Sequence, residues 1–117
     1  MNANKKLLDE IPIKSIYQYT GEIMYVYKEN KIAVNIDLGF ATWRRVPVTL
    51  ANVIVPEENG SKFKELLDPY FEKNNKVLIR GFGYFEGIYR CDLFSANTFP
   101  DIYYNNLVIQ KDIGHAK

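Results

Sequence analysis

A chain of 117 residues holds one histidine, His115, and one cysteine, Cys91. Ser-His-Asp and Cys-His relays need a histidine beside the nucleophile. A structural zinc site is built from four Cys and His ligands. Neither chemistry is expected from His115, which reads as a helix-end residue, or from Cys91, which reads as a small core side chain. A lone cysteine forms no internal disulfide, and no G-x-x-x-x-G-K phosphate loop is present. No metal or cofactor is expected. The residues that remain are aromatic and cationic. Trp43, Arg44 and Arg45 stand together, and Tyr17, Tyr19, Tyr25 and Tyr27 share one face of a strand by the period of two. Arg80, Tyr84 and Arg90 follow further on. Aromatic rings stack on bases while cations track phosphates, and Tyr, Trp and Arg also form the cores of protein interfaces. The plainer reading makes the tyrosines barrel core or rim and the arginines a solvated turn.

Arg80-Gly81-Phe82-Gly83-Tyr84-Phe85 matches the start of the RNP1 signature of RNA-binding RRM domains. The match fails at Gly87, where an aromatic is required. An RRM also needs a strand between its first helix and RNP1, and Lys76 follows the helix directly. A barrel strand coiled by its glycines is the simpler reading.

The elements that would position these residues are mostly strands. Residues 1–15 read as a polar arm. Ile16 to Tyr27 reads as a long strand with a bulge at Gly21, and Lys28-Glu29-Asn30 as a turn. Ile32, Val34, Ile36 and Leu38 alternate with Lys31, Ala33, Asn35 and Asp37, the pattern of a half-buried strand. Gly39 to Thr42 turns the chain into a third strand, Arg45 to Val55, with Val46, Val48 and Leu50 on one face. Pro47 places that strand at an edge or bulge. Pro56 to Gly60 is a loop. Ser61 then caps a helix carrying Phe63, Leu66, Leu67, Tyr70 and Phe71, which Pro69 interrupts, with Asp68 able to cap a second short turn. Strands follow at Val77 to Phe85 and Ile88 to Phe94, joined at Glu86-Gly87. Asp101 caps a last helix that carries Leu107, Val108 and Ile109 and stops at Gly114. The order predicts one mostly-β domain with α-helices (α+β), residues 16–117. It is a five-stranded OB-type antiparallel barrel, with a helix between strands 3 and 4 and a helix at the C-terminus.

Fifteen Lys and Arg against fourteen Asp and Glu give a net charge of +1, so strong non-specific attraction to nucleic acid or anionic surfaces is not expected from charge alone. No apolar run approaches the ~20 residues of a membrane span. Charges in Met1–Glu10 occupy the place of a signal's apolar stretch, so a cytoplasmic location with a reduced thiol is expected. Abundant Asn, Lys, Ile and Tyr have AT-rich codons, which suits a phage or mobile-element source.

A longer series carries a resemblance. Val34-Asn35-Ile36-Asp37-Leu38-Gly39-Phe40, Trp43, Val48-Thr49-Leu50-Ala51-Asn52-Val53-Ile54-Val55-Pro56-Glu57, Val77-Leu78-Ile79 and the closing Leu107-Val108-Ile109-Gln110-Lys111-Asp112-Ile113-Gly114-His115-Ala116 are similar in order to the staphylococcal-nuclease-like (thermonuclease) family. That family reads V-x-I-D-L-G-F…W…R-V-R-L-A-G-I-D-T-P-E and ends in L-V-x-x-G-x-A. The resemblance covers roughly residues 22–117 and implies an OB barrel that hydrolyses phosphodiesters with calcium, two arginines and a glutamate. The matching positions depart from it. One calcium ligand becomes Asn30 and the other Ile54. One arginine becomes Thr49 and the other falls near Ile88. Glu57 alone is retained. Losing a single charge-stabilising donor costs roughly 10²–10³ in rate, and Lys28, Lys31, Arg80 and Arg90 would replace the arginines only in part. The expectation is a catalytically inactive nuclease-like binding module. Its target is another protein, which it serves as inhibitor or adaptor, and the alternative is single-stranded DNA or RNA. Residual calcium-dependent nuclease activity is the third reading. The binding residues expected are Trp43, Arg44, Arg45, Tyr25, Tyr27, Arg80, Tyr84 and Arg90.

Overall fold

A computed structural model describes residues 18–28, 30–85, 87–97 and 101–117. The polar arm and Tyr17 lie outside the described residues. Strands β1 (Gln18–Tyr27), β2 (Lys31–Asp37), β3 (Trp43–Leu50), β5 (Lys76–Phe85) and β6 (Ile88–Ser95) close into a barrel in the order β1-β2-β3-β6-β5. A short strand β4 (Val53–Ile54) and helix α1 (Gly60–Lys73) lie between β3 and β5, and helix α2 (Tyr104–Gln110) and strand β7 (His115–Ala116) follow β6. Four seams are antiparallel. The fifth, between β3 and β6, is parallel and pairs only Val48–Leu50 with Tyr89–Cys91. This is the strand order of an OB-type barrel.

Alternation builds the core. Ile32, Val34 and Ile36 of β2 and Val46, Val48 and Leu50 of β3 are buried, as are Val77 and Ile79 of β5 and Cys91 and Leu93 of β6. Leu38 falls beyond the end of β2 and is exposed, whereas Ala33, on the outer face, is buried. The third strand is shorter than expected, because Asn52 takes a left-handed φ of 61° and the chain turns at Ala51-Asn52 before β4. Pro47 precedes the parallel rungs, so its missing N–H interrupts none of them.

The β1 bulge lies between Ile23 and Tyr25 rather than at Gly21. Gly21 answers a different need. A Cβ there would stand 2.8 Å from the Asn35 carbonyl oxygen, so β1 and β2 approach too closely for any side chain. The bulge reverses the inward phase from Gly21 and Ile23 to Val26.

Five helix expectations are corrected. Ser61 is not the cap. The segment Glu57–Asn59 forms a 3-10 turn that runs directly into α1, and Asn59 stands at the junction, its Nδ2 donating to Ile113 O at 2.9 Å. Pro69 does not end α1, which continues to Lys73. A proline inside a helix costs ~3 kcal/mol, while Phe63, Leu67 and Phe71, spaced by four on either side of it, are buried and contribute about 2 kcal/mol each. Asp68 pairs with Lys64 at 3.1 Å instead of capping a new turn. Asp101 does not cap α2, which begins at Tyr104 without a side-chain cap. Ser95 and Ile102 exchange two hydrogen bonds of 2.8 Å, and these hold the chain ahead of the helix extended. His115 is likewise a strand residue, paired with Ile54.

Candidate functional site

The turn before β2, the β3–β4 junction and the start of β6 enclose an open cleft of about 370 Å³. Asn30, Thr49, Ile54 and Ile88 all line it, with Arg90 and Lys117. The nuclease resemblance implies calcium ligands at Asn30 and Ile54, one arginine at Thr49 and the other near Ile88. Their side chains do other work. Asn30, at a left-handed φ of 59°, accepts the Leu50 N–H at its Oδ1 (3.0 Å) and donates from Nδ2 to the Val53 carbonyl (3.0 Å). It clamps the turn to the β3–β4 junction, and its amide is committed on both ends. Thr49 Oγ1 donates to Tyr89 O at 3.3 Å across the parallel seam. Ile54 and Ile88 present aliphatic surface, 41% and 43% exposed. Glu57 is exposed at the start of the 3-10 turn and is not among the residues lining the cleft. Among the described residues, no group of three His, Cys, Asp or Glu gathers where it would hold a metal ion. The Cys91 thiol is buried and pushed up to about 12, first by desolvation and then by the Asp92 charge, the state of an inert core thiol.

The eight binding residues expected from sequence fall in separate places. Tyr25 and Tyr27 occupy the outer face of β1, opposite Ala33 and Lys31. Their ring centroids are 4.8 Å apart. The bulge separates them from Tyr19, which packs against the core, so the tyrosines do not share one face. Lys64 sits 4.0 Å above the Tyr25 ring and covers one side of it. Tyr27 keeps an exposed ring beside Lys28, Lys31 and Pro47, around a hollow of about 400 Å³.

Trp43, Arg44 and Arg45 lie at the other end of β2, where Trp43 pairs with Asp37. Asp37 is six residue steps along the strand from Lys31, roughly 20 Å at ~3.3 Å per step. Arg80, Tyr84 and Arg90 belong to the β5–β6 ribbon. Arg80 donates from Nε to Gln18 Oε1 at 3.0 Å and lies 5.5 Å from the Phe94 ring centroid. Phe94 in turn stacks on Tyr103 at 4.7 Å. Tyr84 is exposed and meets Tyr89 edge-on at 4.7 Å. Arg90 alone of the eight reaches the cleft. The glycines of the RNP1-like stretch coil β5, with Gly81 at φ 60° and a register shift between Arg80 and Gly83, as in a barrel strand.

Phe40 is not among the site residues expected from the sequence. It stands at the apex of the β2–β3 hairpin with 102% exposure, flanked by Leu38 and Trp43, each 46% exposed. The available signal was an aromatic residue inside a turn, a place that favours Gly, Asn, Asp and Pro. Comparison with protein-family models, with curated proteins and with solved structures gave no match to this chain.

Proposed function

We propose that this chain is a catalytically inactive, nuclease-like OB module that acts by binding another protein, as an adaptor or inhibitor. One observation carries the reading. The cleft that gathers Asn30, Thr49, Ile54 and Ile88 offers committed amide and hydroxyl groups and exposed aliphatic surface. Phosphodiester hydrolysis would need carboxylates and guanidiniums at those positions. Such walls suit an apolar side chain of a partner. A phage or mobile-element origin would fit an inhibitor aimed at a host protein.

Single-stranded nucleic acid is the second reading, favoured by the exposed Tyr27 ring beside Lys28 and Lys31. One titration separates the readings. A fluorescein-labelled single-stranded oligonucleotide is followed by polarisation with calcium present, at low and physiological salt. A flat signal is expected. A salt-sensitive rise lost in Lys28→Ala and Lys31→Ala would establish nucleic-acid binding instead. A falling signal abolished by Glu57→Ala would establish residual nuclease activity. The protein reading is then tested by affinity capture with the wild type and with Ile88→Glu. A partner retained only by the wild type is purified and titrated directly.

A further inference from the structure

The β2–β3 hairpin ends in a tip that does not follow the usual rules for turns. Phe40 and Ala41 have φ of 53° and 59°, after Gly39 at 83°. Thr42 N–H bonds to Gly39 O at 2.9 Å, Leu38 N–H to Thr42 O at 2.8 Å, and Gly39 N–H to Asp37 Oδ1 at 2.8 Å. Positive φ at both central residues is the requirement of a type I′ turn, which Asn-Gly meets most easily. Here the two sites hold a phenylalanine and an alanine. The phenylalanine touches nothing that would repay burial, since it is fully exposed. Strain kept at an exposed apolar apex points to use outside the fold.

Polarity along the hairpin is layered. Leu38, Phe40 and Ala41 form the apex, Trp43 comes next, and Arg44 and Arg45 follow, both exposed. Neither guanidinium has an ion-pair partner among the described residues. Asp37, the carboxylate on this stretch, is engaged with the Gly39 N–H. From the Arg45–Asn35 pair to the apex is three to four residue levels, about 10–13 Å at ~3.3 Å per level. A lipid surface has the same sequence of layers: acyl chains, an interfacial zone that favours tryptophan, and phosphates. A second copy of the chain fits poorly, because the arginines of two facing tips would repel.

We propose that the β2–β3 hairpin tip docks on anionic lipid bilayers. Phe40 and Leu38 enter the acyl boundary, Trp43 lies at the interface, and Arg44 and Arg45 meet lipid phosphates. The proposal is independent of what the cleft binds, and it leaves the cleft at the opposite end of β2, turned toward a partner in water.

Trp43 is the single tryptophan, so its fluorescence reports the docking directly. The full chain is mixed with vesicles of phosphatidylcholine, alone or with phosphatidylglycerol added. Emission is expected to shift to the blue, and the protein to co-sediment, with the anionic vesicles only. Phe40→Ser should weaken partition at least about tenfold, while Phe40→Leu should retain it. Arg44→Gln with Arg45→Gln should weaken it about thirtyfold, from about fivefold per charge. Far-ultraviolet circular dichroism checks that each variant is folded, and none of these side chains is buried. No shift with anionic vesicles, equal partition to neutral ones, or a Phe40→Ser variant that docks like the wild type would overturn the proposal.

Discussion

Replacing Phe40-Ala41 by Asn-Gly should make the protein more stable. Left-handed backbone costs an ordinary residue roughly 1–2 kcal/mol; asparagine pays less than phenylalanine, and glycine pays none. Glycine gives back about 0.5–1 kcal/mol through the entropy of the unfolded chain. The native side chains have little to lose, because Phe40 is fully exposed and Ala41 is exposed too. The sum is a gain of about 1–2 kcal/mol, or about 5–10 °C in Tm for a domain near this size. Urea unfolding followed by circular dichroism measures the first quantity and calorimetry the second. A midpoint that stays put or falls would show that the apex side chains stabilise the fold. The tip would then not be held against the interests of folding. The same variant should lose docking to anionic vesicles, so stability and docking are expected to move in opposite directions.

Asn30→Ala should destabilise by about 2–4 kcal/mol. It strands the Leu50 N–H and the Val53 carbonyl and puts alanine at φ 59°; the urea midpoint reads it. Gly21→Ala should cost about 1–3 kcal/mol by forcing a Cβ against the Asn35 carbonyl, and differential scanning calorimetry would detect it. Burial, with its neighbours, holds the Cys91 thiol at about 12 against an ordinary 9.0, and the Tyr104 hydroxyl at about 12 against 10.0. The folded chain therefore keeps protons that the unfolded chain releases, and stability falls as pH rises from 9.0 toward 12. Urea midpoints across that range should decline, and Cys91→Ala should flatten the first part of the decline. Ellman's reagent should label Cys91 slowly in the native protein and fast in urea, and fast native labelling would contradict its burial.

Some of this was legible in the residues alone. Ile32, Val34 and Ile36 announced their strand because a half-buried strand must alternate, and the five-strand order followed from counting such segments. Gly21 was legible as special, but its reason was misread. Close approach to Asn35 and a bulge both call for glycine, whereas the actual bulge around Met24 needs no particular residue. Pro69 and Asp101 failed as boundary signals because tertiary contacts outweighed local chemistry. The buried stripe of Phe63, Leu67 and Phe71 carries α1 past the proline, and the bonds to Ser95 keep the chain beyond Asp101 extended. The cleft shows the same division. The resemblance singled out Asn30, Thr49, Ile54 and Ile88, yet their joint placement depends on the β3–β6 seam, which no local pattern encodes. Arg44 and Arg45 were legible as a pair, but the exposure of Phe40 follows from turn geometry that period and composition do not reveal.

The parallel seam is three residue pairs long, and a buried amide bolts it from α2. Asn105 Oδ1 accepts the Leu93 N–H at 2.9 Å, and its Nδ2 donates to the Ala51 and Cys91 carbonyls at 3.1 Å each. One side chain thus holds both strands of the seam, and β7 then clasps β4. On the ribosome, β1, β2 and β3 emerge long before this bolt exists. The barrel cannot close along β3 until Tyr89–Cys91 of β6 have left the exit tunnel, and the Asn105 bolt follows later still. Closure is therefore a late event in biogenesis, and through that interval the apolar interior of a growing chain is the surface a chaperone would meet.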